Sequence, residues 1–206
     1  MLEKEISYAL PTPAGAYYAV STAESDPPRR LLRLLLSQTE SPRLSPEKLP
    51  QGCDRECFER IQRMGWLQWL AEPLTVMEQP LETILPELLA PLSDGGKVLL
   101  ADAQGFYIGS NGFPHETAEE LAALSADFLG LQQRYRGVLQ GNLHLNAEAW
   151  GIVDAGGHTR LGVWPLHIGK HIFALVMTGI PHFNHPDFVQ LVWTLMTRYA
   201  PASIVL

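Results

Sequence analysis

Apolar residues fall at helical spacing in two well-separated stretches. Leu81, Ile84, Leu85, Leu88 and Leu89 occupy one stripe, and Phe188, Leu191, Val192, Leu195 and Met196 repeat it between Pro186 and Tyr199. Pro86 lies inside the first stripe and predicts a kink or a shortened first turn. Between the two helices the period changes. Val98 to Ala101 reads as a buried strand, Asp102-Ala103-Gln104-Gly105 as a turn, and Phe106 and Ile108 alternate with smaller or more polar neighbours on a return strand ending near Ser110. After the loop Asn111 to Pro114, a long helix is predicted from His115 to Tyr135. Ala118, Leu121, Ala122, Ser125, Phe128, Leu129 and Gln132 share one face, and Glu116, Glu119 and Glu120 favour its N-terminal turns. Three strands follow, at Ala147 to Val153, Thr159 to Leu166 and Ile172 to Thr178.

The N-terminal third is punctuated differently. Ser25-Asp26-Pro27-Pro28 and the segment Glu40 to Pro46 break it into short pieces. Helices are predicted at Arg29 to Gln38, at Ser45 to Leu49, and from an Asp54 cap to about Met64. Gly65 then ends the third helix, and Trp66 to Leu70 reads as a strand. Pro73 and Pro80 bracket a linker, with Leu74 to Met77 as a last strand, so the chain divides into units of residues 1–79 and 80–206. Three helices followed by a strand resemble a winged-helix module, and the run from Cys57 to Leu67 resembles the junction between recognition helix and wing in such proteins. DNA reading is disfavoured, because Asp54, Glu56 and Glu59 offset Arg55, Arg60 and Arg63 within the same turns.

Charge and chemistry narrow the function. The net charge is −7, made of −2 over residues 1–79 (nine basic, eleven acidic) and −5 over 80–206 (six and eleven), which argues against a general nucleic-acid binder. No apolar run approaches the roughly 20 residues of a membrane span. Met1-Leu2-Glu3-Lys4-Glu5 lacks the order of a secretion signal, and the expected location is cytoplasmic. Cys53 and Cys57, the only cysteines, have no second pair to complete a zinc set and read as packed thiols. His167 and His171 flank a turn, and His182 and His185 precede the last helix; either pair would need a carboxylate such as Asp187 to hold a metal. Ser21, Ser110 and Ser125 sit in no nucleophile elbow, and Gly95-Gly96-Lys97 lacks the rest of a phosphate loop. Trp66 and Trp69 fall on opposite faces of a strand, one for the core and one for an interface. No catalytic residue, cofactor or metal is expected.

From about residue 80 to 200 the order helix, two strands, long helix, three strands, helix resembles the roadblock family, named for a dynein light chain, and its longin-like relatives. The residues carrying the resemblance are Val98 to Ser110, with the Asp-x-x-Gly turn at Asp102 to Gly105, and the Ala- and Leu-rich segment Thr117 to Leu124. The resemblance implies an α+β fold, a five-stranded antiparallel sheet with helices on both faces, preceded here by the small winged-helix-like unit. It further implies a non-enzymatic regulator or scaffold that forms a homodimer and binds a protein partner, a small Ras-like GTPase in many bacterial members. The dimer edge would include Glu148, Trp150 and Ile152, and the partner face Glu116, Glu119, Glu120 and Asp127. The first 79 residues, His182 and His185 fall outside the family pattern. Two other readings fit the residues: a winged-helix transcription regulator with a C-terminal dimerisation domain, and a sensor of the PAS or GAF type for a small molecule or metal.

Overall fold

Alternation along three neighbouring strands builds the centre of the molecule, in a computed structural model that describes residues 7–45, 49–50 and 52–202. In β3 (Val98–Asp102), Val98 and Leu100 face one way and Leu99 and Ala101 the other; in β7 (His171–Thr178), Phe173, Leu175 and Met177 oppose Ala174 and Val176. With β4 (Tyr107–Asn111), β5 (Trp150–Val153) and β6 (Thr159–Ile168) they form a five-stranded antiparallel sheet, order β4-β3-β7-β6-β5. Both faces are covered. Helix α4 (Leu81–Leu89), which continues through Pro86, and α6 (Pro186–Tyr199) pack on the larger side chains, while α5 (His115–Arg136) lies on the smaller ones. Ala118, Ala122 and Ser125 form the buried stripe of α5, and their small size lets the helix approach Leu99, Ala101 and Val176 closely. The architecture is α+β, with the five-stranded antiparallel sheet and two-sided helical cover that the resemblance implied.

The turn that opens the sheet is held by one carboxylate. Asp102 Oδ1 accepts from the backbone N–H groups of Gln104 (2.9 Å) and Phe106 (3.0 Å), and Gly105 takes a positive φ of 92°. Asp102 and Gly105 are therefore turn residues. Two boundaries differ from expectation. β5 starts only at Trp150, because Glu148 is drawn inward before the strand begins, and β6 runs on to Ile168.

Before the sheet, the chain forms β1 (Tyr8–Pro11), α1 (Pro13–Val20), α2 (Pro27–Leu36), α3 (Arg55–Arg63) and β2 (Leu67–Leu70). Asp26 caps α2 through Arg29 N–H and Asp54 caps α3 through Cys57 N–H, each at 2.8 Å. β1 and α1 carry no sequence pattern that announces them. Pro-Ala-Gly-Ala-Tyr-Tyr-Ala-Val has no polar face, because α1 is enclosed between α2, α6 and β6 and has Trp66 against Gly15. Of the three helices expected before the strand, the first and third occur, as α2 and α3, while α1 precedes them unannounced; β2 pairs antiparallel with β1, from Tyr8↔Leu70 to Pro11↔Leu67. The helix expected at Ser45 to Leu49 falls on residues 46–48, outside the described residues. Leu74 to Met77 forms no strand; the segment makes the isolated bridge Thr75↔Glu40, with backbone bonds of Leu74 and Val76 beside it.

One apolar cluster spans both sides of the linker, running from Ala9 and Leu32 through Phe173 to Trp193 and Met196. Burial of each such large side chain contributes roughly 1.5–3 kcal/mol. Polar ties reinforce it: Trp193 Nε1–H donates to the Gln38 carbonyl at 2.6 Å, and the Arg198 guanidinium donates to the carbonyls of Met77 and Gln79.

Candidate interaction surface

Strand β5 is an outer strand of the sheet, bonded to β6 on one side and to no other strand among the described residues. Its side chains do not match a solvated edge. Ile152 is 53% exposed and Val153 59%, and neither a charge nor a proline blunts the strand. The chain leading into it is equally apolar outside: Tyr135, Val138, Leu143 and Leu145 are all exposed, so half of the twelve large exposed hydrophobics among the described residues fall between positions 135 and 153. A π-helical turn, Gly137–Asn142, carries the chain off the end of α5 at this point, and His144 takes a positive φ of 55°.

Trp150 anchors the strand to the helix behind it. Its ring stacks on Phe128 with centroids 6.0 Å apart, and Nε1–H donates to Gln132 Oε1 at 2.9 Å. Glu148 lies elsewhere than on the rim. Continuing the β5–β6 register past Trp150↔Val163 puts Glu148 opposite Pro165, one side-chain step from His167 on the same sheet face. There Glu148 Oε2 meets His167 Nε2 at 2.7 Å, and Oε1 accepts from Gln140 Nε2 (3.1 Å) and Thr22 Oγ1 (3.2 Å), with both ionisable groups buried. Burial raises the carboxyl pKa, but the hydrogen bond and charge of His167, with the bonds from Gln140 and Thr22, outweigh it and hold Glu148 below the usual glutamate range. Burial, and then the Glu148 charge, push the Tyr17 phenol up. Four segments thus meet at one carboxylate: the loop after α1, the π turn, the lead into β5, and β6.

The acidic residues of α5 stand on its outer side. Glu116, Glu119, Glu120 and Asp127 are all exposed, opposite the buried Ala118–Ala122–Ser125 stripe. Glu119 lies 3.5 Å from His115 Nε2, and His115 Nδ1 is 2.6 Å from the Tyr107 hydroxyl, so the first turn of the ridge is tied to β4.

The other candidates have structural partners. His171 packs against Phe173 and Tyr199, His182 Nδ1 lies 3.1 Å from the Pro91 carbonyl, and His185 caps α6 by accepting from Asp187 N–H. Among the described residues no group of three or more His, Cys, Asp or Glu is placed to hold a metal ion. Trp66 is buried and stacks on Tyr18 with centroids 3.9 Å apart, while Trp69 is exposed, its edge toward Phe58. Cys53 and Cys57 are buried with sulfurs 2.9 Å apart. Sequence reasoning did not find the Glu148–His167 pair. Its available signal was His167 beside Leu166 and Ile168 in a strand with no polar face to receive it.

No family model matches this chain, and no curated protein does. Seven chains of solved structures match it. One is a roadblock/LC7 domain from Streptomyces avermitilis, 12% identical, covering 57% of this chain and 89% of that one, with a TM-score of 0.36. MglB of Myxococcus xanthus is 19% identical over 61% of this chain and 92% of its own, and the gliding protein MglB of Thermus thermophilus is 17% identical over 60% and 93%, each with a TM-score of 0.36. A likeness of this size carries no functional argument. What the fold defines is an α+β protein built on a five-stranded antiparallel sheet, with one outer strand both unpaired and apolar.

Proposed function

We propose that this chain is a homodimeric regulatory or scaffold protein that acts by binding another protein and performs no catalysis itself. The observation that carries the reading is the free edge of β5 with Ile152 and Val153 exposed beside the apolar end of α5. Two copies meeting along β5 about a two-fold axis would satisfy each other's edge N–H and C=O groups and cover these side chains. Trp150, locked to Gln132 and Phe128, supplies a rigid anchor behind that edge. The acidic ridge of Glu116, Glu119, Glu120 and Asp127 remains open in such a dimer and suits a partner with a basic face, for which the roadblock resemblance of Val98 to Ser110 suggests a small Ras-like GTPase in the cytoplasm. Residues 1–79 then form a winged-helix-like module carried by the domain of residues 80–206. This module contributes structure or protein contact in preference to DNA reading, as the acidic Asp54, Glu56 and Glu59 beside the arginines of α3 favour.

Light scattering on the purified protein tests the dimer: the expected result is twice the chain mass for the wild type and the chain mass for Ile152→Asp. A wild type that stays monomeric at high concentration, or an Ile152→Asp variant that stays dimeric, overturns it. Capture of Ras-like GTPases loaded with GDP or a GTP analogue tests the partner, with loss of binding expected for the Glu119→Lys, Glu120→Lys double variant. No capture in either nucleotide state removes the GTPase and leaves the dimer standing.

A further inference from the structure

The two cysteines are the only strong nucleophiles of the chain, and the interaction surface makes no use of them. Cys53 stands just before the Asp54 cap of α3 and Cys57 in its first turn, so the cap geometry that starts the helix also turns the two side chains toward each other. Cys53 Sγ donates to Cys57 Sγ at 2.9 Å, and each residue is only 8% exposed. A disulfide needs the sulfurs at about 2.05 Å, so they must close by less than ~1 Å. Access is provided. A cavity of ≈ 320 Å³ opens on Cys53, walled by Arg30, Leu31, Leu34, Pro50 and Gly52. It admits a molecule the size of hydrogen peroxide, and the Arg30 charge favours both thiolates.

We propose that Cys53 and Cys57 form an oxidisable dithiol, converted by hydrogen peroxide to an intramolecular disulfide that clips the segment before α3 onto its first turn. The cavity assigns the roles: it reaches Cys53, and Cys57 is not among its walls, so the peroxide meets Cys53 first. Burial together with the neighbouring sulfur pushes the Cys53 thiol up to about 12. Cys53 thiolate, once formed, attacks one peroxide oxygen; the S–O bond forms, the O–O bond breaks, and the departing hydroxide takes the Cys57 proton. Cys57 thiolate then attacks the Cys53 sulfur; the S–S bond forms, the S–O bond breaks, and the second hydroxide takes the proton that Cys53 had given up. Two thiols and one peroxide become one disulfide and two waters. The peroxide is reduced, and each sulfur loses one electron. Burial lifts both thiols, Cys57 as well as Cys53, so the reaction is slow at neutral pH and quickens about tenfold per pH unit as thiolate forms.

The test uses the whole protein. It is exposed to hydrogen peroxide at several pH values, then unfolded, treated with a maleimide and weighed intact. The expected product has lost two hydrogens, takes no maleimide until a thiol reductant is added, and forms faster at higher pH. Cys57→Ser, checked for folding by circular dichroism, leaves Cys53 as a sulfenic acid trapped by a dimedone reagent, and Cys53→Ser leaves Cys57 open to the maleimide after the same exposure. Two maleimide adducts on the oxidised wild type, oxygen added to either sulfur, or a disulfide between two chains would each overturn the proposal.

Discussion

Glu148→Gln isolates the charge of the buried pair while leaving its shape. An ionised carboxylate can only accept, so in the wild type the proton between Glu148 and His167 is carried by His167 Nε2, and the remaining oxygen serves Thr22 and Gln140. A glutamine has one orientation that avoids conflict. Its oxygen must stay toward Thr22 and Gln140, because Gln140 Oε1 is held by Arg136 Nε at 2.6 Å and its amide nitrogen has to donate. The new NH₂ then faces His167 Nε2, which must become the acceptor of a neutral bond. What is lost is the charge assistance of one buried hydrogen bond, about 1–2 kcal/mol. In a chain of this size that lowers the thermal midpoint by roughly 2–8 °C near neutral pH. The pH dependence has a definite sign. The folded-state pKa of Glu148 is depressed, so its stabilisation is complete above the unfolded glutamate pKa and disappears as pH falls through the folded value. Thermal unfolding followed by circular dichroism at about pH 7 and at about pH 3, on either side of the usual glutamate pKa, should therefore show a gap between wild type and variant that narrows in acid. A gap of the same size at both, or none near neutrality, would refute the reasoning.

Two further substitutions probe packing, one within the N-terminal elements and one behind the interaction surface. Gly15→Ala puts a Cβ 2.2 Å from the Trp66 carbonyl oxygen, which already accepts from Thr12 N–H at 3.0 Å and cannot swing away. Alanine favours a helix by about 1 kcal/mol, but an overpacking cost of about 3 kcal/mol outweighs that, and a net loss of about 2 kcal/mol is expected in urea unfolding. Trp150→Phe removes the donor to Gln132 Oε1 and leaves a buried amide with neither end satisfied, at a cost of about 1–3 kcal/mol, with a weakened dimer in light scattering.

Legibility along the chain followed the physics of each element. α6 was readable to the residue because a proline fixes its start and five apolar positions repeat without interruption; the hairpin after Lys97 was readable because Asp and Gly are what its turn requires. α1 was not, since a helix of small and aromatic residues with no charged or polar face has no period to detect. β1 was hidden for a related reason: its partner β2 lies more than fifty residues away, and four residues ending in proline carry little strand signal alone. At the candidate surface, Trp150 and Ile152 lie in a segment whose residues already read as a strand, and the acidic residues of α5 face outward. Glu148 shares their period yet turns to His167, because the partner that decides its position comes from a different strand and a buried charge goes where it can be paired.

The bond from Trp193 to the Gln38 carbonyl has a consequence for how the protein is made. Its two residues are 155 positions apart, and at roughly 5–20 residues per second a ribosome needs roughly 8–30 seconds to produce the second after the first. Until α6 emerges, α2 lacks one of the elements it packs on, and the apolar cluster that holds Leu32, Leu35 and Leu36 is incomplete. The opening third of the chain is thus born early and finished last, and a nascent chain of this protein should be a client of ribosome-associated chaperones throughout that interval.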